Sequence, residues 1–407
     1  MELFCGIDWA EGHHDVALVD GEGTRVAKLR VDTGAKGFSD LQTLLAEHCT
    51  TPSAVPVAIE TDKNLIVVAL LAAGHTVYAI NPRAVARYRE RHHQAGGKSD
   101  PGDAAALANI LRTDRHEHRA MPKISEDALA VRALARQHQE AIWARQLTVN
   151  RLRSVFLEFY PNALVAFPVL THKAALEILA AAPTPGLALK LTHKRVVTLL
   201  QRSGRGDRPG LADSILANLR QPSLRQLPAV EEALGRAVKG LVCVISSMES
   251  AIADLESAMT LAFNAHQNAE LLTSIPGLGS VLGARVLSEI GDDGGRFTTA
   301  NGLRAFAGTA PITRASGRSK SVRARHVKNK RLADACHWWA FASITRSAGC
   351  RAHYDRRRAA GDTHNAALRN LANKLLGRLW WCLVNDLAWD EKAAWPSLDP
   401  AAVKIAA

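Results

Sequence analysis

Residues 3–31, LFCGIDWAEGHHDVALVDGEGTRVAKLRV, decide the fold of the first part of the chain. The short apolar run at 3–9 and the segment 15–19 are both predicted to be strands, and residues 25–31 alternate like a third strand. Between the second and third runs, the Gly-Glu-Gly tripeptide at 21–23 offers the residues of a tight turn. The stretch therefore predicts three consecutive antiparallel strands.

Helix and strand signals alternate in the residues that follow. The pattern predicts helices at about 36–48 and 65–73, strands at 55–60 and 76–80, and a basic helix from Pro82 onward. Three antiparallel strands followed by alternating helices and strands is the element order of a ribonuclease H-like sheet. Many α/β domains share parts of this order, so the order alone only suggests that fold.

Beyond Glu126 the chain is predicted to be mostly helical, and its clearest pattern is a heptad repeat. Apolar residues alternate at spacings of four and three over four heptads, which is the pattern of a coiled-coil seam that requires a partner helix. A single long helix packed on its own domain is the alternative. The seam consists of Leu234, Val238, Leu241, Ile245, Met248, Ile252, Leu255, Met259 and Ala262.

The composition indicates a partner and a compartment. A formal charge of +12 in 407 residues suggests a polyanionic partner, most commonly nucleic acid, although an ordinary basic protein is the alternative. Six cysteines without CxxC spacing argue against a zinc site or a disulfide framework and favour a reducing cytoplasm. The N-terminus lacks a signal-peptide pattern, and the apolar stretch 371–389 contains Lys374, Arg378 and Asp386, so we expect a core helix there and no membrane association.

Four carboxylates are the first candidate site. Asp8 and Glu60 end predicted strands that would be neighbours in a ribonuclease H-like sheet, and Asp100 and Asp103 lie on one face at the start of a helix. Carboxylate oxygens gathered in this way suit Mg²⁺. Two such ions about 4 Å apart can stabilise the attacking and leaving oxygens of a phosphoryl transfer.

Helix capping is the alternative explanation for Asp100 and Asp103. The order Asp-Pro-Gly-Asp at 100–103 also fits an N-cap, a proline at the first helical position and an acid at the third. Capping is the better explanation of these two residues alone, and the metal hypothesis depends on their convergence with Asp8 and Glu60. We assign three other nearby acids to the solvated surface: Asp15, Asp20 and Asp62.

Basic residues come between these acids in the sequence. A helix that begins near Pro82 is rich in arginine and could follow a phosphate backbone, with a solvated helix face as an equally good alternative. The candidate nucleic-acid ligands of this helix and its extension are Arg83, Arg87, Arg91 and Lys98.

The segment 274–280, SIPGLGS, forms the second candidate site. A Pro-Gly-x-Gly turn between two helices exposes backbone N–H groups that can hold a phosphate without reading base sequence. Gly277 and Gly279 are the residues that this helix-hairpin-helix hypothesis assigns to nucleic-acid binding, and a plain glycine-rich turn is the alternative.

The third candidate site is the basic segment that follows Ala307. Eight lysines and arginines lie between Arg314 and Arg331, and no acid occurs from Gly294 to Ala333. A serine needs its proton removed or its product charge stabilised to act as a nucleophile, and Ser316 has such cationic surroundings. The chemistry alone does not distinguish Ser316 from Ser319 or Ser321, and it favours a phosphate-binding loop. The candidate phosphate ligands are Arg314, Arg318, Lys320, Arg323, Arg325 and Lys328.

Three segments together resemble one family closely. They are Gly6-Ile7-Asp8 with Ile59-Glu60, the K-x-D-x-x-D-A pattern at 98–104, and the run from Ile275-Pro276-Gly277 through Gly308-Thr309-Ala310-Pro311 to Ser316-Gly317. The chain resembles the DEDD/serine transposases of insertion-sequence family one hundred and ten, which are viewed as bridge-RNA-guided recombinases. The tail beyond about 345 is long for that family, and 161–228 is less recognisable.

The resemblance implies an architecture and a mechanism. It implies a RuvC-type ribonuclease H-like DEDD domain (1–125), a helical and coiled-coil linker used in oligomerisation (126–268) and a mostly helical serine transposase domain (269–407). It implies that Asp8, Glu60, Asp100 and Asp103 bind Mg²⁺ and that Ser316 forms a phosphoserine link to DNA. It also implies a tetramer, sites shared between protomers, and a structured bridge RNA that pairs with target and donor DNA.

Two other functions compete with this transposase hypothesis. A RuvC-like, metal-dependent, junction-resolving nuclease would use the four acids and water but no serine. A non-catalytic nucleic-acid-binding protein would use the acids only as caps and surface charge. A covalent DNA–serine link separates the first alternative from the transposase, and the effect of Glu60 substitution on metal binding separates the two alternatives.

Overall fold

The predicted strands at the start of the chain are present in the structure, a computed structural model that describes residues 2–92, 99–205, 208–317 and 319–396. The chain divides into two units, Met1–Lys123 and Ile124–Ala407. The first unit contains five strands, β1 (Leu3–Trp9), β2 (His13–Asp20), β3 (Arg25–Asp32), β4 (Val57–Ile59) and β5 (Val77–Ala79). Its helices are α1 (Ala35–His48), α2 (Leu65–Ala72), α3 (Pro82–His92) and α4 (Asp100–Asp114), and short 3₁₀ turns occur at Pro52–Ala54 and Arg115–Glu117.

The five strands form one mixed sheet in the order β3-β2-β1-β4-β5. The first three strands are antiparallel neighbours, and β4 and β5 join β1 in parallel. Parallel neighbours require crossover connections, and α2 supplies one between β4 and β5. The order of elements expected from the sequence is therefore confirmed as a mixed α/β unit.

Alternate residues of β1 belong to two different apolar cores. Cys5 and Ile7 pack with residues of α1 and α2 on one face of the sheet. Phe4 packs with residues of α3 and α4 on the other face. Because successive side chains of a strand project to opposite faces, Asp8 lies on the face that α4 covers.

The second unit is built on two long helices, α5 (Glu126–Phe159) and α11 (Pro228–Ala265). The helices between them are α6 (Asn162–Ala166), α7 (Lys173–Ala181), α8 (Pro185–Lys190), α9 (His193–Arg202) and α10 (Leu211–Leu219). Side-chain contacts join the long helices: an ion pair links Arg145 to Glu249 at 3.0 Å, and Nε2 of the buried His138 lies 3.5 Å from the Glu256 carboxylate. Residues later in α5 contact residues earlier in α11, so the two helices are antiparallel. In this structure, α5 of the same chain is thus the partner of the heptad seam, as the alternative interpretation of that helix expected.

The last part of the second unit is mostly helical, as expected, and contains one unexpected hairpin. Its helices are α12 (Ala269–Ser274), α13 (Ser280–Ile290), α14 (Ala300–Ala307), α15 (Lys330–Ser343), α16 (Ala348–Ala359), α17 (His364–Asn385) and α18 (Glu391–Ala394). The strands β6 (Ile312–Ser316) and β7 (Ser319–Arg323) form an antiparallel pair between α14 and α15. Within the described residues, no helix combines the length and apolar character needed to cross a membrane.

Candidate functional site

Asp8 and Glu60 come to one edge of the sheet because β1 and β4 are parallel neighbours. Ile7 pairs with Ile59 in the register of these strands, and each acid directly follows its isoleucine. Ala58 lies in the same apolar core as Phe4, so strand alternation places Glu60 on the face of the sheet that also carries Asp8. The sequence prediction that both strands end at a shared edge is confirmed.

Helix α4 crosses this edge of the sheet at very short range. A Cβ atom at Gly6 would lie 2.0 Å from the carbonyl oxygen of Ala104 and 2.5 Å from the backbone nitrogen of Ala108. Only glycine leaves room for a helix backbone at this separation. Asp103, next to Ala104 in the first turn of α4, is buried there, whereas Asp100 is exposed at the start of the helix.

The four carboxylates interact electrostatically at this edge. The pKa of Asp8 is raised to about 6, first by burial and then by the negative charges of Glu60, Asp103, Asp100 and Asp15. Like charges that share a site disfavour ionisation of one another. The structure thus brings Asp8, Glu60, Asp100 and Asp103 together, and it adds Asp15 as a fifth acid.

Asp15 is not a solvated acid, and that prediction is wrong. Asp15 pairs with Asp8 across the β1–β2 ladder and is only 5% exposed. Arg30 on β3 donates to both of its carboxylate oxygens, at 3.2 and 2.8 Å, because a buried charge requires a partner. The same guanidinium lies 3.8 Å from Asp100, so Arg30 connects Asp15 to the predicted acid set.

One group of side chains at this edge could hold a metal ion, and of the four predicted ligands it includes Asp100. His13, Asp15 and Asp100 each offer one ligand atom, and these atoms all lie within 4.8 Å of one another. Mg²⁺ prefers oxygen ligands, and the mutual repulsion that raises the pKa of Asp8 is a repulsion that a bound cation would offset. The side chains present therefore fit a divalent-cation site at this edge of the sheet.

The capping explanation for Asp100 and Asp103 is not supported by the structure. Ser99, not Asp100, is the N-cap of α4, and it makes no side-chain capping hydrogen bond. The Asp103 carboxylate forms an ion pair with Arg89 of α3. Both acids still benefit from the positive end of the helix dipole in the first turn.

Helix α3 carries the predicted basic surface beside the acids. Arg83, Arg87 and Arg91 are exposed, whereas the partly buried Arg89 is used by Asp103. Lys98 lies outside the described residues. Helix α3 can therefore meet a phosphate backbone through its three exposed arginines while Arg89 holds Asp103 in position.

The predicted helix-hairpin-helix turn lies between α12 and α13. Gly277 has a φ of 82°, and a Cβ atom there would come within 2.7 Å of the Ser343 backbone nitrogen at the end of α15. The indole of Trp339 donates to the Pro276 carbonyl at 3.0 Å, so the turn is anchored to α15. Gly279 is exposed and is the N-cap of α13, which leaves the first N–H groups of that helix without a side-chain cap.

Ser316 ends β6 at the tip of the basic hairpin. It pairs with Ser319 in the ladder, and Gly317 follows in the turn with a φ of 55°. Ser316 is exposed, as are Arg314, Lys320 and Arg323 on the two strands. Arg325 is partly buried and Lys328 is exposed beyond the hairpin, and Arg318 lies outside the described residues. Ser316 belongs to the second unit, and the four acids belong to the first.

Three side chains of the acid site were not predicted from the sequence. His13, Arg30 and Arg89 contact its carboxylates, and none of them belongs to a recognisable motif. Strand pairing was the available signal for Asp15, because an antiparallel hairpin between 3–9 and 13–20 places Asp15 opposite Asp8. Arg89 occurs in the basic helix, where its sequence position resembles that of its solvated neighbours.

Two family models match the chain. A model described as a transposase, of the DEDD type of IS110, matches residues 5–161, and a model described as the transposase IS116/IS110/IS902 family matches residues 269–355. The chain is 49% identical to the Streptomyces coelicolor mini-circle protein named as the transposase for IS117, over 99% of both chains. It is 28% identical to the 42 kDa protein of insertion element IS900 from Mycobacterium paratuberculosis, over 93% of this chain and 94% of that protein. It is 27% identical to the 44.8 kDa protein of insertion element IS116 from Streptomyces clavuligerus, over the same shares of the two chains.

Proposed function

Because the chain belongs to the IS116/IS110/IS902 family of transposases, and is therefore a DNA transposase, we propose that it excises and inserts its own mobile element through a serine-linked DNA intermediate. The observation that carries the proposal is the gathering of Glu60, Asp100 and Asp103 around Asp8. These acids fall within the first matched region, and Ser316 falls within the second.

The acid cluster is proposed to hold Mg²⁺. Asp8, Glu60, Asp100 and Asp103 would be the ligands, with Arg30 and Arg89 fixing the carboxylates of Asp100 and Asp103 beforehand. When bound, two Mg²⁺ ions would supply positive charge that stabilises the attacking and leaving oxygens. This chain's own contribution is the geometry of the sheet edge, which gathers the ligands before any cation arrives.

Ser316 is proposed to be the nucleophile. Its Oγ would form a bond to the scissile phosphorus, the bond from phosphorus to one sugar oxygen would break, and the serine proton would end on the departing sugar hydroxyl. One phosphoester replaces another, so a sugar hydroxyl can later reverse the exchange and rejoin DNA. The cationic side chains of Arg314, Lys320 and Arg323 would offset the negative charge that builds on the phosphoryl oxygens.

The remaining assignments rest on the family resemblance. We infer that the first domain (1–125) has a RuvC-type ribonuclease H-like fold, which the observed strand order supports. The linker region (126–268) would take part in forming a tetramer, and the domain 269–407 would carry the serine chemistry. A structured bridge RNA would pair with target and donor DNA, in the cytoplasm and on the nucleoid.

Covalent capture tests the serine. Purified protein is incubated with Mg²⁺ and double-stranded DNA that spans an element end and its target, with the RNA that co-purifies retained, and is then denatured. We expect a protein–DNA adduct that maps to Ser316 by mass spectrometry. Ser316→Ala should remove the adduct while nucleic-acid affinity stays nearly unchanged, and Ser319→Ala and Ser321→Ala serve as matched controls that keep it.

The junction-resolving nuclease is the main rival in this experiment. A nuclease that activates water would cleave DNA without forming an adduct, and Ser316→Ala would cleave as well as the parent. Glu60→Gln should abolish both adduct and cleavage if the acid site is required for the same reaction. An adduct on a different residue, or full cleavage by Ser316→Ala, would overturn the proposal.

A further inference from the structure

A small cavity lies close to the base of the Ser316 hairpin. Its volume is about 190 Å³, and it is bounded by the end of α14, the start of α15 and one face of α17. The polar side chains that line it are Thr309, Lys328, His337, Asn365 and Arg369. Two permanent cations in so small a space, with no carboxylate among the lining residues, favour an anion such as a phosphate group.

The cavity is held by specific contacts around Gly308. A Cβ atom at Gly308 would lie 2.2 Å from Cδ of Lys328, and the φ of this glycine is 74°. The stem of Lys328 therefore packs directly on a backbone position that only glycine fills without strain. The hydroxyl of Thr309 donates a hydrogen bond to Oδ1 of Asn373 on α17 at 3.1 Å. The Gly-Thr pair at 308–309 thus places a lysine at the cavity wall.

A row of aromatic side chains begins at this cavity. The ring of His337 packs edge-on against Trp338 at 5.4 Å, and Trp338 packs edge-on against Phe341 at 6.3 Å. Phe341 in turn contacts His364, the neighbour of Asn365 in the cavity wall. Trp338 is 50% exposed and Phe341 is 51% exposed. Half of each of these two side chains is therefore open to a ligand.

Exposed aromatic rings beside cations are the arrangement that binds unpaired nucleotides. Bases stack on aromatic faces whatever their sequence, and cationic side chains follow the phosphates. A protein partner would be expected to meet an apolar groove, whereas this row begins at His337 in a cavity that Lys328 and Arg369 also line and that no acid lines. DNA is the substrate of this enzyme, and the strand exchange proposed at Ser316 would present unpaired nucleotides near the hairpin.

We infer that the cavity and the aromatic row form a binding site for one unpaired DNA strand, with a phosphate between Lys328 and Arg369 and bases stacked on Trp338 and Phe341. The inference rests on the proposed serine chemistry for the source of the unpaired strand and for the direction from which it arrives. This site would hold the strand beside the nucleophile after the duplex opens, which makes Trp338 and Phe341 positioning residues.

Equilibrium binding to dT20 tests the site in a Ser316→Ala background, so that the outcome is independent of whether the serine reacts. Fluorescence anisotropy compares fluorescein-labelled dT20, a 20-base-pair duplex and rU20. We expect Trp338→Ala and Phe341→Ala each to weaken dT20 binding by about 5- to 150-fold, as loss of one stacked base predicts, and to change duplex binding far less. Trp338→Tyr, which keeps a ring, should restore most of the affinity.

Two controls make the result specific. Trp381 is 45% exposed on α17 and does not line the cavity, so Trp381→Ala should leave dT20 binding unchanged. Arg369→Ala should reduce the salt dependence of dT20 binding by about one phosphate contact. Thermal melting checks that each variant is folded. The inference fails if Trp338→Ala and Trp381→Ala behave alike, if rU20 but not dT20 depends on Trp338, or if Trp338→Ala changes only the oligomeric state.

Discussion

At Gly6 the backbone of α4 comes close enough to β1 that no side chain fits between them. This contact sets the depth at which α4 crosses the sheet, and with it the position of Asp103 beside Asp8. The acid site therefore depends on a residue that carries no chemistry of its own. Within the family motif Gly-Ile-Asp at 6–8, the glycine is explained by packing and the aspartate by charge.

Gly6→Ala should destabilise the protein and lower its activity. The added methyl group would overlap the Ala104 carbonyl, and overpacking of this kind typically costs about 1–3 kcal/mol. Urea denaturation measures the change in the free energy of unfolding. Gly12→Ala is the matched control, since a Cβ atom at Gly12 meets nothing within 4 Å, and it should change stability by no more than about 0.5 kcal/mol. Equal losses in both variants would contradict this account of Gly6.

Asp8→Asn should stabilise the metal-free protein, and the gain should depend on pH. Folding raises the pKa of Asp8 from an ordinary 3.8 to about 6, so the folded protein holds this proton more tightly than the unfolded chain. The contribution of Asp8 to stability therefore falls as pH rises between about 4 and 6 and stays low above that range. Melting temperatures of parent and variant in chelator should diverge with rising pH and then run parallel; a gap that narrows toward neutral pH would contradict the repulsion.

The burial of Asp15 could not be predicted from the sequence. Its exposure depends on the exact pairing of β2 with β1 and on the approach of Arg30 from β3. Strand propensity predicts that the strands exist, but a shift of one residue in register would turn Asp15 to the other face. Asp8 and Glu60 were predictable because both directly follow apolar strand residues, so their position at a shared edge survives small errors in strand length.

At the scale of the elements, the β6–β7 hairpin has little support from packing. Nearly all of its side chains are exposed, and an isolated two-stranded hairpin is only marginally stable in water. Its strands contain Arg314, Ser316 and Lys320 rather than an alternating apolar face, so no strand pattern was visible in the sequence. A hairpin of this composition fits a role in which DNA supplies the missing contacts.

Gly317→Val should remove most of the Ser316 adduct without destabilising the protein. A β-branched residue is strained at a φ of 55°, so the turn that follows Ser316 would change shape. Because the hairpin is exposed, the melting temperature should stay close to that of the parent. Gly317→Asn is the conservative control, since asparagine tolerates the left-handed region, and it should keep more adduct than the valine variant. Equal adduct yields from the two variants would show that this turn geometry does not matter.

The heptad pattern of α11 predicts that this helix packs against another helix, but it does not identify the partner helix. Val238, Ile245, Ile252 and Met259 recur every seven residues and are buried in the structure. Their partner is α5, whose apolar residues Leu152, Phe156 and Phe159 lie in the same core as Val238 and Ile245. The other heptad positions of the seam, such as Leu241 and Leu255, are only partly buried. The sequence predicted the apolar face of α11, and only the fold shows that its partner helix belongs to the same chain.

At the scale of the whole molecule, the candidate chemistry is divided between two units of one chain. Asp8 and its neighbours lie in the first unit, Ser316 lies in the second, and two separate family models match these parts. Motifs identified both parts from the sequence because metal ligands and a basic serine segment have recognisable compositions. The aromatic row at Trp338 and Phe341 was not predictable in this way, since a buried and an exposed tryptophan look alike in a sequence.

A mixture of two inactive variants should recover part of the activity if one protomer's acids serve another protomer's serine. Asp8→Asn lacks an intact acid site and Ser316→Ala lacks the nucleophile, so each homogeneous protein should form no adduct. In mixed oligomers, some sites would combine intact acids from one chain with an intact Ser316 from the other, because a symmetric assembly can build composite sites. The yield of adduct after co-refolding or co-expression measures the recovery. A size tag distinguishes the two chains, and the adduct should form only on the Asp8→Asn chain, which keeps Ser316. If both variants stay inactive when mixed, although light scattering shows that mixed oligomers form, then each active site is built from a single chain.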